Sequence, residues 1–428
     1  MQVARLRTVL LFTLLAFGFL VSNTLPAADK RSITETDLFQ FNWIADPQIS
    51  PDGSQVAFVK VSANQKKDGY DTSLWLVATS GLKEPRPLTA GPRDLSPRWS
   101  PEGKSIAFIR AAEKEGKPQP AQIYILSMEG GEARPITDLS KGTGSPVWSP
   151  EGKTIVFTSA TSREDDKKRS SKKSEDKPEG TTDKDQIEPH ESDVRVITRA
   201  VYRFNGAGYL DPKRHTHIWT ITVPEVRGKS VTPQQLTSGS FDESNPTWSP
   251  DGSRIYFTSN RVAEPYYEPP HNDLYSIPRD GGEMVKVAGI DGVIGEFAFS
   301  PDGKWIAFRG TLNGHPVRSY SQPDLFVMEN KVGVTPHNLT AEWDFDVGSG
   351  ITSDQRAPRG SQPAEVIWSK DGMSILVVAA EYGRANIKRV DVASGRVEPV
   401  TAGDHEVIAY TASADVSKMA LLISDPAS

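Results

Sequence analysis

The chain of 428 residues contains no cysteine, which excludes disulfides, thiolate zinc sites, iron–sulfur clusters and a cysteine nucleophile together. Positive charge is not in excess: 49 basic against 55 acidic residues give a formal net charge of −6, which offers no footprint for nucleic acid or an anionic membrane surface. Long apolar runs are scarce as well. The longest, from Val9 to Val21, is 13 residues, too short for a helix across a hydrocarbon core of roughly 30 Å, so no stable membrane span is expected. Because Arg5 and Arg7 precede this run and the small Ala27 and Ala28 follow it, residues 1–27 read as a signal peptide. The mature protein is then expected to be exported, periplasmic or extracellular, and soluble.

The common devices of catalysis are missing too. A nucleophile elbow needs Gly-x-Ser-x-Gly, yet the only glycines spaced four apart, Gly310 and Gly314, have Leu312 between them. No alternation of strands and helices appears. His215 and His217 would put two imidazoles on one face of a strand without a third ligand nearby, and Asp344, Asp346 and Asp354 lack calcium-loop spacing, so neither a metal nor any other cofactor is expected.

What the chain does have is a repeat. Ile49-Ser-Pro-Asp-Gly53, Trp99-Ser-Pro-Glu-Gly103, Trp148-Ser-Pro-Glu-Gly152, Trp248-Ser-Pro-Asp-Gly252, Phe299-Ser-Pro-Asp-Gly303 and Trp368-Ser-Lys-Asp-Gly372 are followed by a degenerate Ala412-Ser-Ala-Asp-Val416. Six and eight residues after each Ser stands an apolar pair, such as Ile106 and Phe108 or Ile255 and Phe257. Apolar residues two apart after a tight Asp-Gly turn predict a β-hairpin with one face buried. A third strand such as Leu74–Val77 and a fourth such as Pro87–Thr89 follow in six units. Four antiparallel strands per unit, repeated radially, make an all-β fold: a seven-unit β-propeller of four-stranded blades over residues 46–428, after a lead-in at 28–45. Its 34 Gly and 32 Pro suit so many tight corners.

Two units are irregular. The third carries an insertion at about 161–214, whose first half, 163–193, holds eight basic and eleven acidic residues and should be disordered. The second half regains aromatic character in Val201-Tyr-Arg-Phe-Asn-Gly-Ala-Gly-Tyr209 and should form an ordered loop or added strand over one face. The seventh unit stops at Ser428 after its second strand, so the last blade is expected to be incomplete, with an open edge.

The Ser-Pro-Asp-Gly repeats, the charged insertion and the phrase from Val201 to Tyr209 followed by His217-Ile-Trp-Thr220 resemble the N-terminal half of S9 (prolyl oligopeptidase) serine peptidases. Within them the likeness is to the acylaminoacyl-peptidase and dipeptidyl-aminopeptidase branch. That resemblance implies a propeller that filters peptides for a separate α/β-hydrolase domain carrying Ser, Asp and His. It also implies a chain that is truncated or split from that domain and inactive alone, with peptides or the hydrolase domain as partners. The alternative is a TolB-like periplasmic propeller that binds other proteins. Tyr202, Arg203 and Tyr209 are the candidate substrate-facing residues, since aromatic and basic groups at a propeller mouth could hold a carboxylate or peptide backbone.

Overall fold

A computed structural model describes residues 31–162, 165, 194, 196–205, 208–211, 214–224, 231–351 and 356–425. The expected leader and the charged half of the insertion, apart from Asp165, lie outside the described residues. Two units are distinguished, up to Phe41 and from Asn42 onward. In the first, Asp37–Gln40 forms a 3-10 turn that Asp37 organises, its carboxylate accepting from Thr34 N at 2.8 Å and from Arg31 at 2.6 Å.

The second unit is a β-propeller with six four-stranded antiparallel blades. Blade 1 contains Asn42–Ile49, Gln55–Ala63, Tyr70–Ala78 and Arg86–Pro87. Blade 2 contains Asp94–Trp99, Ser105–Arg110, Gln122–Ser127 and Arg134–Pro135. Blade 3 contains Val147–Trp148, Thr154–Ser159, His217–Thr222 and Gln234–Gln235. Blade 4 contains Glu243–Trp248, Arg254–Ser259, Asp273–Pro278 and Val285–Ala288. Blade 5 contains Gly292–Phe299, Trp305–Leu312, Pro323–Glu329 and His337–Asn338. Blade 6 contains Ile367–Trp368, Ser374–Glu381, Arg384–Asp391 and Val397–Pro399. A hairpin of Glu406–Ala412 and Met419–Ser424 follows, joined to blade 6 by one parallel pair, Ala385 with Glu406.

Each residue of the repeat has a distinct task. The Ser hydroxyl closes the first hairpin by accepting an amide five residues on, as Ser100 does from Ser105 at 3.0 Å and Ser413 from Lys418 at 3.1 Å. The glycines at 53, 103, 152, 252, 303 and 372 take φ of +68° to +72°, a left-handed turn that Val416 also adopts at +56° despite its β-branch. The fourth strand leads into a Leu-Thr phrase (Ile-Thr in blade 2), whose Thr accepts a third-strand amide through its hydroxyl: Thr137 from Ile123 at 2.9 Å, Thr237 from Ile218 at 2.8 Å, Thr340 from Leu325 at 3.0 Å. Two-residue fourth strands therefore still satisfy the ladder.

The tryptophans before the Ser lock blade to blade. Their indole N–H donates to the first strand of the preceding blade, Trp99 to Gln48 O at 2.9 Å, Trp148 to Arg98 O at 3.0 Å, Trp248 to Val147 O and Trp368 to Ala298 O both at 3.1 Å. Between the hairpin and blade 1 the Thr411 hydroxyl takes over, accepting from Ile49 N and donating to Pro47 O, each at 3.1 Å.

The expectation of one buried face per hairpin needs correction. Ile155 and Phe157 pack toward blade 2 with Ile123 and Ile125, while the intervening Val156 packs toward blade 4 with Ile255 and Phe257. Blades stack face to face around the axis, so each second strand is buried on both sides. The same arrangement puts Val407 and Tyr410 of the final hairpin against Leu376 and Ile387 of blade 6, with Met419 and Leu421 packed alongside.

Candidate functional site at one end of the propeller

Antiparallel connectivity brings the second-to-third strand links and the links from one blade to the next to the same end of the propeller. Both long departures from the repeat lie there. One is the blade 3 insertion, between Ser159 and His217, and the other is the segment 339–366 between blades 5 and 6.

Arg214 ties the two ends of the insertion, donating to Ala160 O at 3.0 Å and pairing with Asp165 at 2.7 Å. This guanidinium holds the Asp165 carboxyl well below the usual carboxylate range. Between them stands a small hairpin of Arg203–Phe204 and Gly208–Tyr209. It brings the three candidate residues together. The Tyr202 and Tyr209 rings lie 6.1 Å apart, and the Arg203 guanidinium sits 5.7 Å from the Tyr209 ring centre. Tyr202, Phe204 and Tyr209 are 43%, 56% and 49% exposed, an unusual outlay of aromatic surface. None of Tyr202, Arg203 and Tyr209 lines the two cavities described next, although Arg199 of the same insertion lines the first.

The first cavity, about 490 Å³, lies between Arg199, His215, Asp242, Ser259, Asn260 and Tyr266. His215 Nδ1 is 3.4 Å from Asp242, whose other oxygen accepts from Thr216 N at 2.6 Å. His217 engages a different acid: its Nδ1 is 2.9 Å from buried Glu243, which also accepts from Thr237 Oγ1 at 2.8 Å and pairs with Arg261 at 2.5 Å. The two imidazoles thus serve separate carboxylates, and no group of three potential ligands gathers among the described residues. Of the loop acids, Asp346 accepts from Tyr320, whose hydroxyl burial and this contact push up to about 12; Asp354 lies outside the described residues.

The second cavity, about 760 Å³, is axial. Its walls come from the first strands of blades 2 to 5, through Arg98, Val147, Glu243 to Thr247, and Glu296 to Phe299, and from residues 362–366 just before blade 6. A bulge in these strands helps shape the wall: register shifts occur between Leu95 and Arg98, Ser244 and Thr247, and Ile294 and Phe297. The segment leading to 362–366 is a strap. Gly360 lies close against Ala45 and Leu95 of blades 1 and 2, Arg356 pairs with Glu406 at 2.8 Å, and the Arg359 guanidinium covers the Tyr70 ring at 5.5 Å. Glu365 on this strap has an exposed side chain, and the surface it exposes lines the cavity. Desolvation raises its carboxyl to about 7, opposed by nearby Arg98 and reinforced by Asp46. Arg98 itself is engaged by Asp46 at 2.8 Å. No helix among the described residues is long and apolar enough to cross a membrane.

The family model for the TolB beta propeller domain, PD40, matches residues 29–186. An uncharacterized peptidase of Bacillus subtilis, YuxL, is 29% identical over 402 residues, 93% of this chain and 56% of the relative. Acylaminoacyl peptidase of Pyrococcus horikoshii superposes with a TM-score of 0.57 at 16% identity, over 90% of this chain and 50% of that one. The propeller domain of the trilobed protease from Pyrococcus furiosus, described as having an open velcro topology, superposes at 0.52 and 18% identity over 87% of each chain. The homologues are therefore S9-family peptidases with propellers of this kind, and the chain spans about half the length of the relative and of the acylaminoacyl peptidase structure.

Proposed function

We propose that this chain is the non-catalytic propeller of an exported S9-type peptidase, admitting peptides to a hydrolase domain that these 428 residues do not include. The observation that carries the reading is the match of 93% of the chain to 56% of a peptidase, combined with the lack of any Gly-x-Ser-x-Gly in the sequence. The final hairpin is then the inner half of a seventh blade, since its Ser413 turn and its packing on blade 6 repeat those of the other units. The aromatic hairpin of Tyr202, Arg203 and Tyr209 faces incoming peptide or the hydrolase domain, and residues 1–27 direct export. Purified chain should hydrolyse neither acyl-peptides nor dipeptidyl substrates. Turnover above background that disappears on mutating one Ser would overturn this reading.

A second reading, a TolB-like module that binds other proteins, is favoured by the family model matched at 29–186. Crosslinking in envelope extracts discriminates: capture of a partner with no hydrolase domain supports it, whereas capture of a hydrolase domain or of peptides supports the first.

A further inference from the structure

Among the carboxylates lining the axial cavity, Glu365 stands apart. Glu296 is paired with Arg309, and Glu243 with Arg261 and His217. Asp242 accepts from Thr216 N and approaches His215. Arg98, the one cation lining the cavity among the described residues, is taken by Asp46. Glu365 alone has no hydrogen bond or ion pair on its carboxylate among the described residues; only its backbone carbonyl is engaged, by the Tyr410 hydroxyl. Its side chain is exposed to the cavity that it lines. The Tyr410 hydroxyl anchors its backbone carbonyl, and Pro363 and buried Val366 stand on either side of it along the strap. Beside it, Phe297 and Phe299 give the cavity an apolar wall. A carboxylate left without a partner on the wall of a cavity whose other acids are all engaged is the group there free to pair with a cation. An alkyl stem would lie on the aromatic wall at the same time.

We propose that Glu365 and the adjoining Phe297–Phe299 wall form a binding site for the cationic side chain of a peptide, a lysine or arginine, inside the axial channel. The peptide as occupant rests on the reading of the chain as a peptidase propeller; the preference for a cation rests on the cavity alone. Such a site would bias which peptides dwell in the channel, favouring those with a basic residue over neutral ones of equal size.

The test uses the full chain and two blocked peptides, acetyl-Ala-Ala-Lys-Ala-amide and its norleucine counterpart, titrated by ligand-observed saturation-transfer NMR. The lysine peptide should bind at least about tenfold more tightly, and Glu365→Gln should reduce it to the level of the norleucine peptide, whose own binding stays unchanged. Wild-type protein provides a second readout that needs no variant. The lysine ammonium stays charged well beyond pH 8, whereas a carboxyl near 7 goes from about one-tenth to about nine-tenths ionised between pH 6 and pH 8. Affinity should therefore rise about tenfold over that interval, with Arg98, Asp46, Glu296, Arg309 and Tyr410 as the charged and titratable groups around it. Equal binding of the two peptides, unaffected by Glu365→Gln, overturns the cation site but leaves peptide admission standing. Binding of neither peptide overturns both.

Discussion

The Leu-Thr phrase offers the sharpest test of how the blades are held. In blade 4's neighbour, Thr237 is 7% exposed and its hydroxyl does two things: it accepts the Ile218 amide at 2.8 Å and donates to Glu243 at 2.8 Å. Glu243 is 1% exposed and is the hub for His217 and Arg261 as well. Thr237→Val keeps the shape and leaves no cavity, so its cost is polar. An amide buried without a partner costs about 1–3 kcal/mol, and losing a donor to a carboxylate that keeps two other partners adds about 1 kcal/mol, about 3 kcal/mol in all. Thr89 accepts the Leu74 amide at 3.0 Å but is half-buried, and its hydroxyl has no acidic partner among the described residues. Thr89→Val should cost only about 1 kcal/mol. Urea unfolding of both variants measures the gap, and a double-mutant cycle with Glu243→Gln should return a coupling of about 1 kcal/mol for Thr237. If Thr237→Val proves no costlier than Thr89→Val, or the coupling is zero, the hydroxyl is not part of the buried network and the account of the phrase is wrong.

Three further outcomes are expected. Val416 holds φ +56° where the other units have glycine, and Val416→Asn, which tolerates that backbone, should stabilise the protein by about 1 kcal/mol in chemical denaturation; a loss of stability would show that the turn is unstrained. Trp148→Phe strips Arg98 O of its donor across the joint of blades 2 and 3 and should cost about 1–2 kcal/mol, with hydrogen exchange accelerating at that joint; unchanged exchange there would refute the locking role. Glu365, raised to about 7 in the folded state from an ordinary carboxyl near 4.5, keeps its proton longer folded than unfolded, so its contribution to stability falls as pH climbs through that window. Melting between pH 5 and pH 8 should therefore slope down less in Glu365→Gln than in wild type, and identical slopes would refute the shift.

Much of this architecture was legible because the repeat is a local code. The Ser of the phrase bonds within five residues of itself, to the amide that closes the hairpin and, where the phrase has Asp, to that Asp, so the turn is specified locally even in the degenerate unit at Ser413. The burial of both strand faces was less visible. Its signal is the residue between the apolar pair, which is Ala57, Ala107, Val156, Tyr256, Ala307, Leu376 or Ala420, apolar in all seven units. The pair alone suggests alternation, whereas the middle residue, often a small alanine, marks the second buried face. The aromatic hairpin is legible as an ordered element of the insertion because apolar and aromatic residues return between Val194 and Tyr209.

The axial site could not be read this way, since Asp46, Arg98, Glu296 and Glu365 come from different units and meet only when the blades curve round the axis. One trace of it exists. Ser300 and Ser369 are 69 residues apart, where 49 to 51 separate most other neighbouring phrases outside the insertion, and the surplus is the strap that carries Glu365. Departures from the period are therefore more informative than the period. The regular residues are consumed in closing turns, pairing strands and packing blades, which leaves them no free chemistry. The two surplus segments emerge at the same end of the propeller, one presenting exposed aromatic rings and the other placing an unpaired carboxylate in the channel. A surface built only to close the ring would have no use for either, so the end that holds both is where a peptide or a second domain should first be sought.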